Sequence, residues 1–68
     1  MKIYDFTVEE INLIATYEED TRRHTMFRID NAYNLMDEDM QETATSAVRK
    51  LMEMTDEEFA AADFIPAE

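Results

Sequence analysis

Apolar residues recur every three or four positions in three stretches of the chain, which is typical of amphipathic helices that pack one face against a core. The stripe of the first stretch consists of Val8, Ile11, Ile14 and Ala15, and Leu13 and Tyr17 widen it. That of the second consists of Met26, Ile29, Ala32 and Tyr33, with Phe27 beside them. That of the third consists of Met40, Ala44, Ala47, Leu51 and Met54, with Val48 alongside. The pattern predicts three helices that share one core.

Capping boxes indicate two helix starts. Thr7 and Thr55 each precede a glutamate by three positions, and these glutamates are Glu10 and Glu58. In such a box the threonine hydroxyl accepts a hydrogen bond from the glutamate amide, while the glutamate carboxylate accepts one from the threonine amide. The first box predicts the start of the first helix, and the second predicts a short fourth helix near the end of the chain.

A polar run at residues 18–25 interrupts the apolar pattern between the first two stretches. It is too long for one amphipathic helix to keep its buried face continuous, so we expect a turn there. Asp20 or Thr21 can cap the second helix, and Asp37 can cap the third. A single helix over residues 7–35 remains the alternative, because neither Gly nor Pro forces a break.

These signals predict one all-α domain over residues 1–68, since a chain of this length has room for a single core. The expected helices cover about residues 7–18, 21–35, 38–53 and 55–63, as a bundle of three helices with a short fourth one. Residues 2–6 are expected to be extended because their composition is typical of a strand, and residues 63–66 because Pro66 prevents a helix from continuing. The third stripe is too short for an extended coiled coil, which favours a monomer over a homo-oligomer.

Composition excludes several classes of protein. The chain has no Cys, which excludes disulfides and thiolate nucleophiles and fits a reducing, cytoplasmic setting. It has no Gly, so phosphate-binding loops of the Walker or dinucleotide type are excluded. No apolar run approaches the length of about 20 residues that a membrane-spanning helix needs, and the first residues do not resemble a secretory signal. We therefore expect neither membrane insertion nor export.

The net charge of −11 is unevenly distributed. Residues 21–35 contain three bases and one acid, and they form the one positive segment. Its arginines, Arg22, Arg23 and Arg28, are expected to pair with acidic neighbours, but they are also candidate partner-binding residues. One short positive segment is too little for direct binding of nucleic acid. Tyr4 and Phe64 are further candidates, because terminal aromatic side chains form either an exposed patch or the lid of a small core.

The six methionines raise a related question, because flexible thioethers suit adaptable partner grooves. Met26, Met40 and Met54 fall on the predicted core stripes. Met36 and Met52 do not, and they are the ones that could contribute to a surface. Core filling remains the favoured interpretation for the methionines as a group.

The sequence contains no recognisable catalytic set. His24 is the one side chain whose ordinary pKa lies in the physiological range, and Ser46 is the one serine. The acidic residues that begin at Asp37 invite comparison with a calcium loop, but Glu42 stands at the sixth position and Val48 at the twelfth. A calcium loop requires Gly and Glu there. We expect no enzymatic activity, no metal and no cofactor.

The segments FTVEEINL at residues 6–13 and MTDEEFA at residues 54–60 resemble a group of short acidic proteins. These are encoded within conjugative transposons and related integrative elements of Gram-positive anaerobes, in particular of clostridia. The similarity is strong at both capping boxes, fair along the third helix and weak over residues 18–34. The resemblance implies a bacterial cytoplasm and an accessory role on a mobile element, and it supplies no catalytic residues.

The sequence thus favours a non-enzymatic accessory or regulator that binds another protein, encoded by the element or by its host. The alternative is a DNA mimic, in which carboxylates imitate phosphates and occupy a DNA-binding protein. The high negative charge is the feature that suggests this second function.

Overall fold

Four α-helices make up most of the computed structural model, which describes residues 6–62 and 64. They are α1 (Val8–Tyr17), α2 (Arg22–Ala32), α3 (Glu38–Glu53) and α4 (Asp56–Ala61), and a 3₁₀ turn at Tyr33–Leu35 extends α2. No strand occurs in this described part of the chain. The predicted all-α bundle is confirmed. Apart from residues 6 and 64, the segments expected to be extended lie largely outside the described residues.

Both predicted capping boxes are present. The Glu10 amide donates to Thr7 Oγ1 at 3.1 Å, and the Thr7 amide donates to the Glu10 carboxylate at 2.8 Å. Thr55 and Glu58 form the same pair of hydrogen bonds, at 3.0 and 2.9 Å. Each box satisfies amides that would otherwise lack a partner at the start of a helix, so α1 and α4 begin where the local sequence indicates.

A non-helical turn separates α1 from α2, so the alternative of one continuous helix over residues 7–35 is wrong. Thr21 is the cap of α2, because its side chain accepts a hydrogen bond from the His24 amide at 3.1 Å. Thr25 is fully buried and holds the turn together. Its hydroxyl donates to the Thr21 carbonyl and accepts from the Glu19 amide, both at 2.9 Å.

Replacing Thr25 by valine should reduce the free energy of unfolding by about 1–3 kcal/mol, since valine has a similar shape but leaves the Glu19 amide without its partner. Urea titration monitored by circular dichroism measures the loss. Thr25→Ser is the matched control, because it keeps the hydroxyl and removes one buried methyl group, worth about 1 kcal/mol. A valine variant as stable as the wild type would contradict this role of the hydroxyl.

One apolar core joins the four helices. Its buried members are Leu13, Ile14, Ile29, Ala44, Ala47, Leu51, Met54, Phe59 and Phe64. The small side chains of Ala44 and Ala47 allow the neighbouring helices to approach α3 closely, and α3 packs against both α1 and α2. Within the described residues, no helix combines the length and the apolarity that crossing a bilayer needs.

Three residues expected to face the core are exposed instead: Val8, Phe27 and Met40. Phe27 lies two residues before buried Ile29, and two helical steps rotate a side chain by about 200° to the opposite face. Val8, the first residue of α1, is likewise rotated away from the buried face. Met40 keeps its place on the stripe of α3 but borders an open groove beside α1. The other apolar positions of the three stripes are buried or partly buried.

Candidate interaction surface

Arg22 is used to join helices. Its Nε donates to Asp56 of α4 at 2.9 Å, and its Nη1 donates to the Leu51 carbonyl in the last turn of α3 at 2.8 Å. The same carbonyl also accepts from the Met54 amide at 3.2 Å, so the guanidinium uses its second lone pair. This arginine therefore fixes the start of α2 against the end of α3.

Arg28 is also engaged within the fold. It pairs with Glu19, and its guanidinium lies 5.8 Å from the centroid of the Tyr17 ring. Both partners lie at or just after the C-terminal end of α1, so Arg28 joins α2 to that end. Arg22 and Arg28 thus follow the pairing expected for arginines in an acidic chain.

Arg23 differs from its neighbours. It is exposed, and its side chain makes no hydrogen bond or ion pair with another described residue. The structure therefore places one of the three candidate arginines of α2 where a partner could reach an uncommitted guanidinium.

Of the two aromatic candidates, Tyr4 and Phe64, the structure describes Phe64. Phe64 is buried and meets Phe6 edge to face, with ring centroids 5.4 Å apart. Its ring also lies 5.6 Å from that of Phe59. Phe64 therefore closes the core, and of the two roles considered for it the exposed patch is wrong. Tyr4 lies outside the described residues.

A groove between α2 and α3 was not anticipated from the sequence. It has a volume of about 480 Å³ and an apolar surface. It is lined by Ile29, Asp30, Tyr33, Ala44, Thr45, Val48, Arg49 and Met52. The signal in the sequence was the position of Met52 off the core stripe, and this residue is 67% exposed. Met36, the other methionine off the stripes, packs partly buried against the core.

The two helices that form this α2–α3 groove are fixed to each other near both ends. At one end Gln41 Nε2 donates to the Tyr33 carbonyl at 3.0 Å. At the other end Arg22 holds the Leu51 carbonyl. Because each bond links two different elements, the groove exists before any partner binds, which lowers the entropic cost of association.

A buried ion pair joins α1 to α3 on the other side of α3. Lys50 Nζ lies 2.7 Å from Glu10 Oε1, and the side chains are 29% and 4% exposed. Burial raises the pKa of Glu10, but hydrogen bonds from Lys50, Ser46 and the Thr7 amide outweigh burial and hold it below its ordinary value of 4.5. The sequence indicated Glu10 as part of a cap and gave no signal of this second role.

The pairing of Glu10 should make stability depend on pH. Because its pKa is lower in the folded chain than in the unfolded one, its stabilising contribution is full well above pH 4.5 and is lost as the pH falls through the folded pKa. Glu10→Gln lacks this titration. The difference in unfolding free energy between wild type and variant should shrink from pH 6 to pH 3 in urea titrations. A constant difference would contradict the assignment.

Two acidic side chains of the domain, Glu10 and Asp20, have lowered pKa values. The lowered pKa keeps Glu10 ionised and makes it a weak base, and Ser46 hydrogen-bonds to it. His24 Nδ1 lies 3.0 Å from Asp20 at the exposed start of α2. This contact with His24 lowers the pKa of Asp20. Residues 6–62 and 64 contain no group of three or more His, Asp or Glu side chains that could hold a metal ion.

Comparison with known proteins assigns a family. The chain shows no significant match to a curated protein or to a solved structure. The model of one protein family, described as "putative transposon-transfer assisting protein" (TTRAP), matches residues 6–66. That range contains all four helices and the α2–α3 groove. The chain belongs to this transposon-associated family.

Proposed function

We propose that the protein assists transposon transfer without catalysing a reaction, by binding another protein through the α2–α3 groove. The observation that carries this proposal is an apolar groove, fixed near both ends, that leaves Met52 two-thirds exposed. Apolar grooves between helices are common sites for partner segments, and methionine adapts its shape to them. The family supports a role in transfer, and the groove supports binding as the means.

The ionisable side chains support the non-enzymatic part of the proposal. General acid–base catalysis needs a group whose pKa lies near the working pH and which is positioned at a substrate. Glu10 is buried and held charged by Lys50, so it meets neither condition. His24 lies in an exposed pair with Asp20 outside both described grooves.

The test is a transfer assay with the native transposon. Deleting the gene should lower the frequency of transfer, and a variant carrying Met52→Glu should lower it similarly, because a charge in the groove opposes an apolar partner. Leu35→Glu is the matched control. Leu35 is 90% exposed and does not line the groove, so the same charge added there should leave transfer near the wild-type frequency.

Both variants must fold, which thermal unfolding of the purified proteins verifies. A deletion without effect on transfer would contradict the accessory role. If the transposon with the Met52→Glu variant transfers as frequently as the one with Leu35→Glu, the groove is not the contact surface.

The DNA mimic is the second candidate, and the excess of acids over bases supports it. The described residues contain 14 acids and five bases, because Asp5, Asp63, Glu68 and Lys2 lie outside them. Competition with duplex DNA for a transposon DNA-binding protein would test it. A mimic should compete through many ionic contacts and lose affinity steeply with salt, whereas insensitivity to salt would contradict mimicry.

A further inference from the structure

We infer that the α2–α3 groove receives a positively charged amphipathic helix of the partner. This inference rests on the proposed function and adds the chemistry of the occupant to it. Three observations carry it: the shape of the groove, the apolar residues along it, and the net negative charge of the domain.

The shape suits a helix. Two adjacent helices leave a long depression between them, into which a third helix can pack its ridge of side chains. Along α3 the lining runs from Ala44 to Met52, a rise of about 12 Å at 1.5 Å per residue. That length corresponds to about two turns, so a partner helix would place apolar side chains at positions i, i+3, i+4 and i+7.

The side chains along the groove suit apolar anchors. Ile29 and Ala44 are buried at its floor, while Val48 and Tyr33 are half-buried at its sides. Small Ala44 lets a backbone come close, and flexible Met52 can adjust to the anchor that it meets. An apolar helix face would cover all five side chains and exclude water from them.

The net charge of the domain indicates the sign of the charge on the partner segment. Three of the five described bases are paired with acids inside the fold, as Arg22–Asp56, Arg28–Glu19 and Lys50–Glu10. The described residues as a whole contain 14 acids and five bases, a net charge of −9. The resulting negative field attracts a cationic segment and accelerates its association.

The same charge argues against a second copy as the occupant. Two copies would each bring a net charge of −11, and a groove of this size offers limited apolar contact to offset that repulsion. The groove edges also give the partner an orientation. Asp30 of α2 offers a carboxylate to a lysine or arginine, and Arg49 of α3 disfavours a cation on the opposite edge.

The experiment uses the full chain and a designed peptide of 14 residues with leucines at helical spacing and lysines elsewhere. Isotope-labelled protein reports the contact through chemical-shift changes. Binding should shift resonances of residues 29–33 and 44–52, and raising salt from 50 to 500 mM should weaken it. Met52→Glu should weaken it about tenfold, whereas Leu35→Glu, which adds the same charge, should leave it within twofold.

Two control peptides separate the contributions. One has the same composition in scrambled order, and the other has glutamates in place of the lysines. Equal binding of the scrambled peptide, with shifts spread over the acidic surface, would overturn the groove as the site. Equal binding of the glutamate peptide, or insensitivity to salt, would overturn the positive charge of the occupant.

Sedimentation of the protein alone tests whether a second copy of the chain occupies the groove. A dimer that Met52→Glu abolishes and Leu35→Glu preserves would assign the groove to a second copy and overturn the inference. The two proposals also fail separately. If Met52→Glu blocks transfer but the lysine peptide does not bind, the inferred occupant is wrong and the proposed function stands.

Discussion

Replacing Lys50 by methionine should destabilise the protein by about 3 kcal/mol, the lower end of the range for breaking a buried ion pair. The substitution leaves the carboxylate of Glu10 buried without its cation, while the partial exposure of Lys50 tempers the loss. A domain of 68 residues has a total stability of about 3–10 kcal/mol at 0.05–0.15 kcal/mol per residue. Urea titration at pH 7 should therefore show a large part of the stability gone.

The double variant Glu10→Gln/Lys50→Met is the control for this prediction. A glutamine carbonyl can still accept the hydrogen bond from the Thr7 amide, and no charge remains buried. Since removing both partners of a buried pair is often close to neutral, the double variant should regain most of the lost stability. If it is as unstable as Lys50→Met alone, the loss would come not from the uncompensated charge of Glu10 but from other contacts of the Lys50 ammonium, such as the one 5.6 Å from the centroid of the Phe6 ring.

The helix starts were predictable from the sequence because capping is local. Thr7 and Glu10 are three residues apart, as are Thr55 and Glu58, so each hydrogen-bonded box is contained in four consecutive residues. The same holds for Asp37, which accepts from the Met40 amide at 2.8 Å as the cap of α3. Neither packing nor topology is needed to form these contacts.

The long-range pairs were not predictable for the opposite reason. Glu10 and Lys50 are 40 positions apart, and Arg22 and Asp56 are 34 apart. Charges of opposite sign are abundant in the chain, and many pairings are compatible with the same helices. Only the way the four helices pack against one another selects among them.

The α2–α3 groove was not predictable either, because it too depends on how the helices pack. Periodicity placed both Val48 and Ile29 beside the core, and the fold uses them for the core and for a groove at once. How far α2 leaves the side of α3 uncovered depends on the rotation of each helix, which periodicity fixes only approximately. This explains why Met52 could be singled out from the sequence while the groove around it could not.

Truncating Leu51 to alanine should reduce the free energy of unfolding by about 3 kcal/mol, because the side chain is fully buried between helices and its loss leaves a cavity. Alanine keeps the backbone carbonyl that accepts from Arg22, so the loss comes from packing alone. In a domain of this size the melting temperature should fall by roughly 12–24 °C, at 4–8 °C per kcal/mol. Thermal unfolding monitored by circular dichroism measures this shift.

Met52→Ala, at the next position of the same helix, is the matched control. It removes a side chain of similar size from a largely exposed position, and alanine preserves the helix, so stability should change by no more than about 0.5 kcal/mol. Equal losses at the two positions would contradict the rotation of α3 that buries Leu51 and opens Met52 to the groove. Because the whole interaction surface depends on that rotation, a large difference between these neighbours would also support Met52 as an available contact.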